Sequence, residues 1–146
     1  MIKRILVAYD GSEHAERALK LAIDLAQQYA AEMQLLTVVP PLFLPTQSMA
    51  LATSKLVDEA NKQLENVFFD TLQKAEKKVK QEKPKLKVSV KFEHGRPEEK
   101  IVETAKSENF DIIVMGSRGL GRADYPLGSV SIKVADCAGC PVLIVK

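Results

Sequence analysis

The sequence predicts one α/β domain, a doubly wound five-stranded parallel sheet with helices on both faces. Three observations carry this. Short apolar runs alternate with helix-patterned stretches from end to end, the signature of a parallel sheet covered on both sides. The 146 residues make one domain, residues 1–146, long enough to bury about two-thirds of its unfolded surface without staples. Near the end, the apolar run Ile112 to Met115 breaks into Gly116-Ser117-Arg118-Gly119-Leu120-Gly121-Arg122, followed by Gly128-Ser129-Val130-Ser131. Four of the seven glycines lie between Gly116 and Gly128. A strand that ends in glycines and passes into a helix exposes backbone N–H groups beside a helix N-terminus, an arrangement that binds phosphate.

Taken in order, Ile2 to Ala8 reads as a buried strand ending at Tyr9-Asp10-Gly11-Ser12. Ser12 is placed to cap the next helix, with Glu13 complementing its dipole. Ala15, Ala18, Leu19, Ala22, Ile23, Ala26 and Tyr29 form that helix's apolar stripe. Met33 to Val39 is the second strand, cut off by Pro40-Pro41, and Pro40 to Ala50 is expected to be a loop over a site. Leu51 to about Gln81 is a long helix whose inner face runs through Val57, Ala60, Leu64, Val67, Phe68, Thr71, Ala75 and Val79. Leu86 to Phe92 alternates as a third strand. Pro97 suits the first position of the next helix, where Ile101, Val102 and Ala105 face inward. Asp111 to Met115, Ser129 to Cys137 and Pro141 to Val145 complete the chain as strand, helix and strand.

Composition excludes several classes. A net charge of +2 is too small to argue for a nucleic-acid or membrane partner by itself, and neither is expected. The lysines from Lys74 to Lys87 interleave with Glu76 and Glu82, without aromatics, and read as a solvated helix end. No apolar run reaches the length of a membrane span and the start resembles no signal peptide, so the expected location is cytoplasmic. Cys137 and Cys140 form a single C-x-x-C without the second pair of a zinc site, and are expected to be ordinary thiols. His94, beside a glycine turn, has no acid or nucleophile near it in sequence and reads as structural or exposed.

In such sheets ligands bind beyond the carboxyl ends of the strands. Those ends supply Tyr9 to Ser12, Val38 to Pro40 and Gly116 to Gly119, a nucleotide-sized site with one acid, Asp10, and no evident general base. A P-loop is excluded because Arg122-Ala123 follows Gly121 where Lys-Ser/Thr is needed. A dinucleotide fingerprint is excluded by Asp124 at its third glycine. A phosphoacceptor receiver domain would need an acidic cluster after the first strand, where Tyr9-Asp10 offers a single acid.

Ile-Leu-Val-Ala-Tyr-Asp-Gly-Ser, Gly95-Arg96-Pro97, Val-Met-Gly-Ser-Arg-Gly, Gly-Ser-Val-Ser and Cys-Pro-Val-Leu-Ile-Val together resemble the universal stress protein family, over essentially the whole chain. The resemblance implies strand order 3-2-1-4-5 and a homodimer formed through the C-terminal strand. In one subgroup, marked by G-x2-G-x9-G-S/T, it also implies an ATP site. By position, Asp10 and the backbone of Val38 would hold ribose and adenine. Met115, Gly116, Arg118 and Gly119 would wrap the nucleotide, and Gly128, Ser129, Val130 and Ser131 would take the phosphates. The expected ligand is ATP, or AMP, with Mg2+ carried by the phosphates. Here eight residues, not nine, separate Gly119 from Gly128, and Arg122 is placed to contact phosphate. The function implied is a stress-response module whose nucleotide-bound dimer is read by a protein partner. The alternatives are a slow ATPase or phosphotransferase, and a nucleotide-free dimeric interaction protein.

Overall fold

The computed structural model describes residues 1–41, 50–119 and 127–146. The loop expected over Pro40 to Ala50 falls largely outside these residues, as do Gly121, Arg122 and Pro126. Among the described residues nine elements follow in order: β1 (Arg4–Ala8), α1 (Glu13–Tyr29), β2 (Glu32–Val39), α2 (Ala50–Glu82), β3 (Val88–His94), α3 (Pro97–Ser107), β4 (Ile112–Gly116), α4 (Ser129–Cys137) and β5 (Val142–Val145). All strand pairs are parallel and the sheet runs β3-β2-β1-β4-β5. The doubly wound five-stranded sheet and its order are those expected.

Strand alternation divides the core in two. Ile5, Val7, Met33, Leu35 and Val114 face α1 and α2, whereas Leu6, Leu36, Ile113 and Met115 face α3 and α4. The alanine stripe of α1, with Ala18, Ala22 and Ala26 fully buried, lets that helix lie close on the central strands. Tyr29, expected on the same stripe, is 41% exposed, because the helix ends there and turns through Ala30 at φ 53°.

Three expectations need correction. β1 begins at Arg4 and not at Ile2, because the Asp111 carboxylate takes the Lys3 and Arg4 N–H groups, each at 2.8 Å. β3 runs two residues later than expected, ending at His94, because Leu86 closes a turn onto the Lys83 carbonyl at 3.0 Å. In α2 the buried line is Phe68, Leu72, Ala75 and Val79, while Val67 is 62% exposed and Ala60 also faces outward. Phe68, Ala75 and Val79 lie on the expected face; neighbouring helix positions point about 100° apart, so Val67 stands one position off it and Leu72 completes it.

Candidate functional site

The crevice is assembled where β1, β2 and β4 end. After β1, Gly11 takes φ +79°, a left-handed turn that suits glycine. The Asp10 Oδ1 accepts the Ser12 N–H at 2.9 Å, and Ser12 Oγ accepts the Ala15 N–H at 3.1 Å as the cap of α1. One Asp10 oxygen thus shapes the turn, and Oδ2 is turned toward the glycine loop, 2.5 Å from where a β-carbon on Gly119 would lie. Tyr9 is held at the floor: its hydroxyl donates to Glu16, and burial, then that carboxylate, push its pKa up.

Val38 shows how backbone becomes available to a ligand. The β1–β2 ladder continues to the Tyr9 N–H on the Leu36 carbonyl at 2.9 Å. The next rung would join the Val38 N–H to the Tyr9 carbonyl, but that carbonyl instead accepts Thr37 Oγ1 at 2.6 Å. On the far edge β2 continues, with the Val39 carbonyl accepting from the Gly95 N–H at 3.0 Å. Val38, only 8% exposed, therefore directs one amide donor and one carbonyl acceptor past the end of β1. Buried backbone groups of this kind require a partner, and among the described residues no hydrogen bond to Tyr9 supplies one.

The two glycines after β4 serve different ends. A β-carbon on Gly116 would lie 2.7 Å from His14 Cβ and 2.8 Å from the His14 carbonyl carbon. Its missing side chain is therefore space used by the first turn of α1, not space left for phosphate. Gly119 faces Asp10 across the crevice. At α4 the first intrahelical bond runs from the Ile132 N–H to the Gly128 carbonyl at 3.1 Å, and Gly128 supplies no side-chain cap. The N–H groups of Ser129, Val130 and Ser131 precede that bond, and the positive end of the helix dipole lies with them. Ser131 Oγ is 1% exposed at residue level and donates inward, 2.9 Å from both the Ser117 and the Gly128 carbonyls. Its hydroxyl proton is committed to the fold, so Ser131 offers an anion its backbone N–H.

A cavity of about 330 Å³ is lined by Asp10, Val38, Met115, Gly116, Arg118, Gly119, Gly128, Ser129, Val130 and Ser131. All ten residues singled out from the sequence thus meet in one place. Tyr9, Phe68, Pro97, Ile101 and Ser117 line it as well, and Asp10 is the one carboxylate among the described lining residues. Sequence reasoning missed Thr37 and His14 as parts of this region, and gave Ser117, inside the Gly116 to Gly119 stretch, no role of its own. Only their positions at strand ends or in the first turn of α1 could have pointed to them.

Other candidates sit elsewhere. His94, its side chain 60% exposed, faces Glu65 at 3.4 Å on the surface. Cys137 and Cys140 are free thiols, the latter with its pKa pushed up by burial and then by Asp111. Among the described residues no cluster of three metal-ligating side chains occurs, and no helix is long and apolar enough to cross a membrane.

A five-stranded parallel sheet in the order β3-β2-β1-β4-β5, with helices on both faces and a crevice at the carboxyl ends of its strands, defines a class of doubly wound α/β domains. Within that class, the universal stress protein family model matches residues 1–146, and the chain belongs to that family. It is 32% identical to the universal stress protein YxiE of Bacillus subtilis, over 100% of both chains. The solved structure of MJ0577 of Methanocaldococcus jannaschii superposes with a TM-score of 0.80 at 31% identity, covering 100% of this chain and 96% of that one. A universal stress protein solved in complex with cAMP superposes with a TM-score of 0.72 at 28% identity, covering 99% and 97%.

Proposed function

We propose that the protein binds an adenine nucleotide, ATP or AMP, as a cytoplasmic stress-response module. One observation carries the reading: the unladdered backbone of Val38, the Asp10 carboxylate and the uncapped N-terminus of α4 converge on one cavity. A donor–acceptor pair suits the edge of adenine, a carboxylate suits ribose hydroxyls, and a helix N-terminus suits phosphate. The groups present therefore fit such a ligand, with Asp10 and Val38 holding the nucleoside and the Ser129 to Ser131 amides the phosphates, Mg2+ travelling with the nucleotide. The relative solved with cAMP supports the same reading. Binding and positioning are the roles these residues can fill. A slow ATPase or phosphotransferase would further need a group that takes a proton from the attacking oxygen.

The test is thermal unfolding with ATP and magnesium. Ligand at about a hundred times its dissociation constant adds roughly 2.7 kcal/mol to the native state, which raises Tm by several degrees in a domain of this size. Mass spectrometry of gently denatured protein should show co-purified nucleotide. No shift with ATP, AMP or cAMP, and no co-purified nucleotide, would replace this reading with that of a nucleotide-free interaction protein. Phosphate release above that of a denatured blank would promote the enzyme.

The regulated form in this proposal is a homodimer, read by a protein partner. β5 is an edge strand made of Val142, Leu143, Ile144 and Val145, all partly exposed, and such an edge is a template for a second copy. Sedimentation at micromolar concentration should give twice the 16.1 kDa chain mass; a single species at the chain mass would remove the dimer.

A further inference from the structure

Behind the cavity, one histidine is joined to it by a chain of hydrogen bonds. His14 stands in the first turn of α1, and its Nδ1 lies 3.2 Å from Ser117 Oγ. Arg17 Nη2 lies 3.3 Å from the same ring nitrogen. A guanidinium can only donate, and Arg17 Nη2 is also 3.5 Å from Nε2, so that contact does not fix the tautomer; with the ring proton on Nε2, the Ser117 hydroxyl donates to Nδ1. Ser117, 1% exposed, ties three elements together. Its N–H donates to the Val145 carbonyl on β5 at 2.7 Å, and its carbonyl accepts the Gly128 N–H at 2.6 Å. The same carbonyl lies 2.9 Å from Ser131 Oγ. Gly128 is the N-cap of α4, so the Ser117 carbonyl sets where the free amides of that helix stand.

We infer that His14 is a positioning residue of the nucleotide site, acting through Ser117 on the N-terminus of α4; this rests on the nucleotide reading above. A buried hydroxyl whose proton loses its acceptor must find another. Reaching one moves the Ser117 side chain, and with it the peptide whose carbonyl anchors Gly128. The phosphate-facing amides then lose their fixed place although no residue that touches the ligand has changed.

His14→Phe keeps the β-carbon packed on Gly116 and removes the acceptor, and His14→Asn puts Oδ1 at the place of Nδ1. The Phe variant should bind ATP about fivefold more weakly by titration calorimetry, the scale of one lost hydrogen bond, and the Asn variant should recover most of that. Ser117→Ala breaks the same contact from the other side. It should match the Phe variant, with no further loss when the two are combined, and it serves if the Phe variant fails to fold. In unliganded protein, the Gly128 amide should exchange with solvent about fivefold faster in the Phe variant and near the wild-type rate in the Asn variant. Wild-type affinity in the Phe variant overturns the inference. So does an Asn variant that falls as far as the Phe variant while both keep the wild-type unliganded Tm. Should wild-type protein bind no ATP, AMP or cAMP, the nucleotide reading itself fails, and Gly128 exchange decides the relay alone: unchanged exchange in the Phe variant overturns it.

Discussion

The two ends of the sheet are both concave, and the larger hollow lies at the end without the site. At the amino ends, Lys3, Arg4, Glu32, Glu82, Lys83, Lys85 and Lys87 rim a depression of about 950 Å³, against about 330 Å³ at the carboxyl ends. The difference lies in what the backbone has left over. At the amino end it is satisfied from within: Ala30 and Ala31 donate back to Gln27 and Ala26 to close α1, and Asp111 takes the Lys3 and Arg4 amides. The ends of α1 and α2 that point there are carbonyl ends, and Lys80 complements that of α2. At the carboxyl end, Val38 and the first turn of α4 keep groups that no other described residue takes up. Parallel strands joined by right-handed crossovers send every helix N-terminus to that end. Chain direction, more than volume, singles out the candidate site.

The largest break in this contrast is expected at Gly116. Its β-carbon would meet backbone of α1, with Ala15 N at 3.0 Å behind the His14 atoms, and a helix turn cannot swing aside as a side chain can. Gly116→Ala should therefore cost about 1–3 kcal/mol of unliganded stability, read as a Tm lowered by several degrees without nucleotide. Full wild-type Tm would show that α1 has room to retreat, and Gly116 would return to being a glycine that serves phosphate.

Gly119→Ala separates function from fold at the same end. The atom in its way, 2.5 Å off, is the tip of the Asp10 side chain, which can move at small cost but carries the oxygen proposed for ribose. Unliganded stability should fall by about 1 kcal/mol or less, while most of the ATP-induced Tm increase disappears. The matching control is at the other end: Lys83→Ala with Lys85→Ala should leave the ATP-induced increase unchanged. Loss of that increase in the lysine variant would mean that the amino-end depression takes part in binding.

These two glycines also show how far the sequence could be read. Glycine spacing, strand ends and the family pattern brought ten residues to one cavity, because all of them lie at chain positions that a doubly wound fold must bring together. The reason for Gly116 was hidden, since the atoms it makes room for belong to His14, which lies more than a hundred residues earlier. Thr37 was hidden for a related cause: a threonine inside a strand reads as core until the Tyr9 carbonyl it takes is known. In α2 an eight-residue list of apolar positions over a long helix fitted two neighbouring faces. Only packing of Phe68, Leu72, Ala75 and Val79 on the sheet chose between them.

The smallest expected effect tests the amino end by acid. The Lys3 and Arg4 N–H groups, each 2.8 Å from Asp111 Oδ2, hold the carboxyl of Asp111 below its usual range, with the N-terminal ammonium and Lys3 adding to the effect. A carboxyl whose pKa is depressed on folding binds its proton more tightly in the unfolded chain. Its contribution is therefore complete above the unfolded pKa, about 3.9, and is lost as pH falls through the lower folded value. Asp111 lies at the surface, so screening keeps the effect small. Asp111→Asn should lower Tm slightly at pH 7, by a margin that shrinks as pH falls below the unfolded pKa and the native carboxyl takes up its proton. The gap between the two Tm–pH curves should close below about pH 4. The ATP-induced increase at pH 7 should be the same in both proteins, because the bonds lost close the backbone at the end away from the cavity. A gap that stays constant down to pH 2 would show that Asp111 acts by shape and not by charge, and that the amino end is closed without help from an ionised side chain.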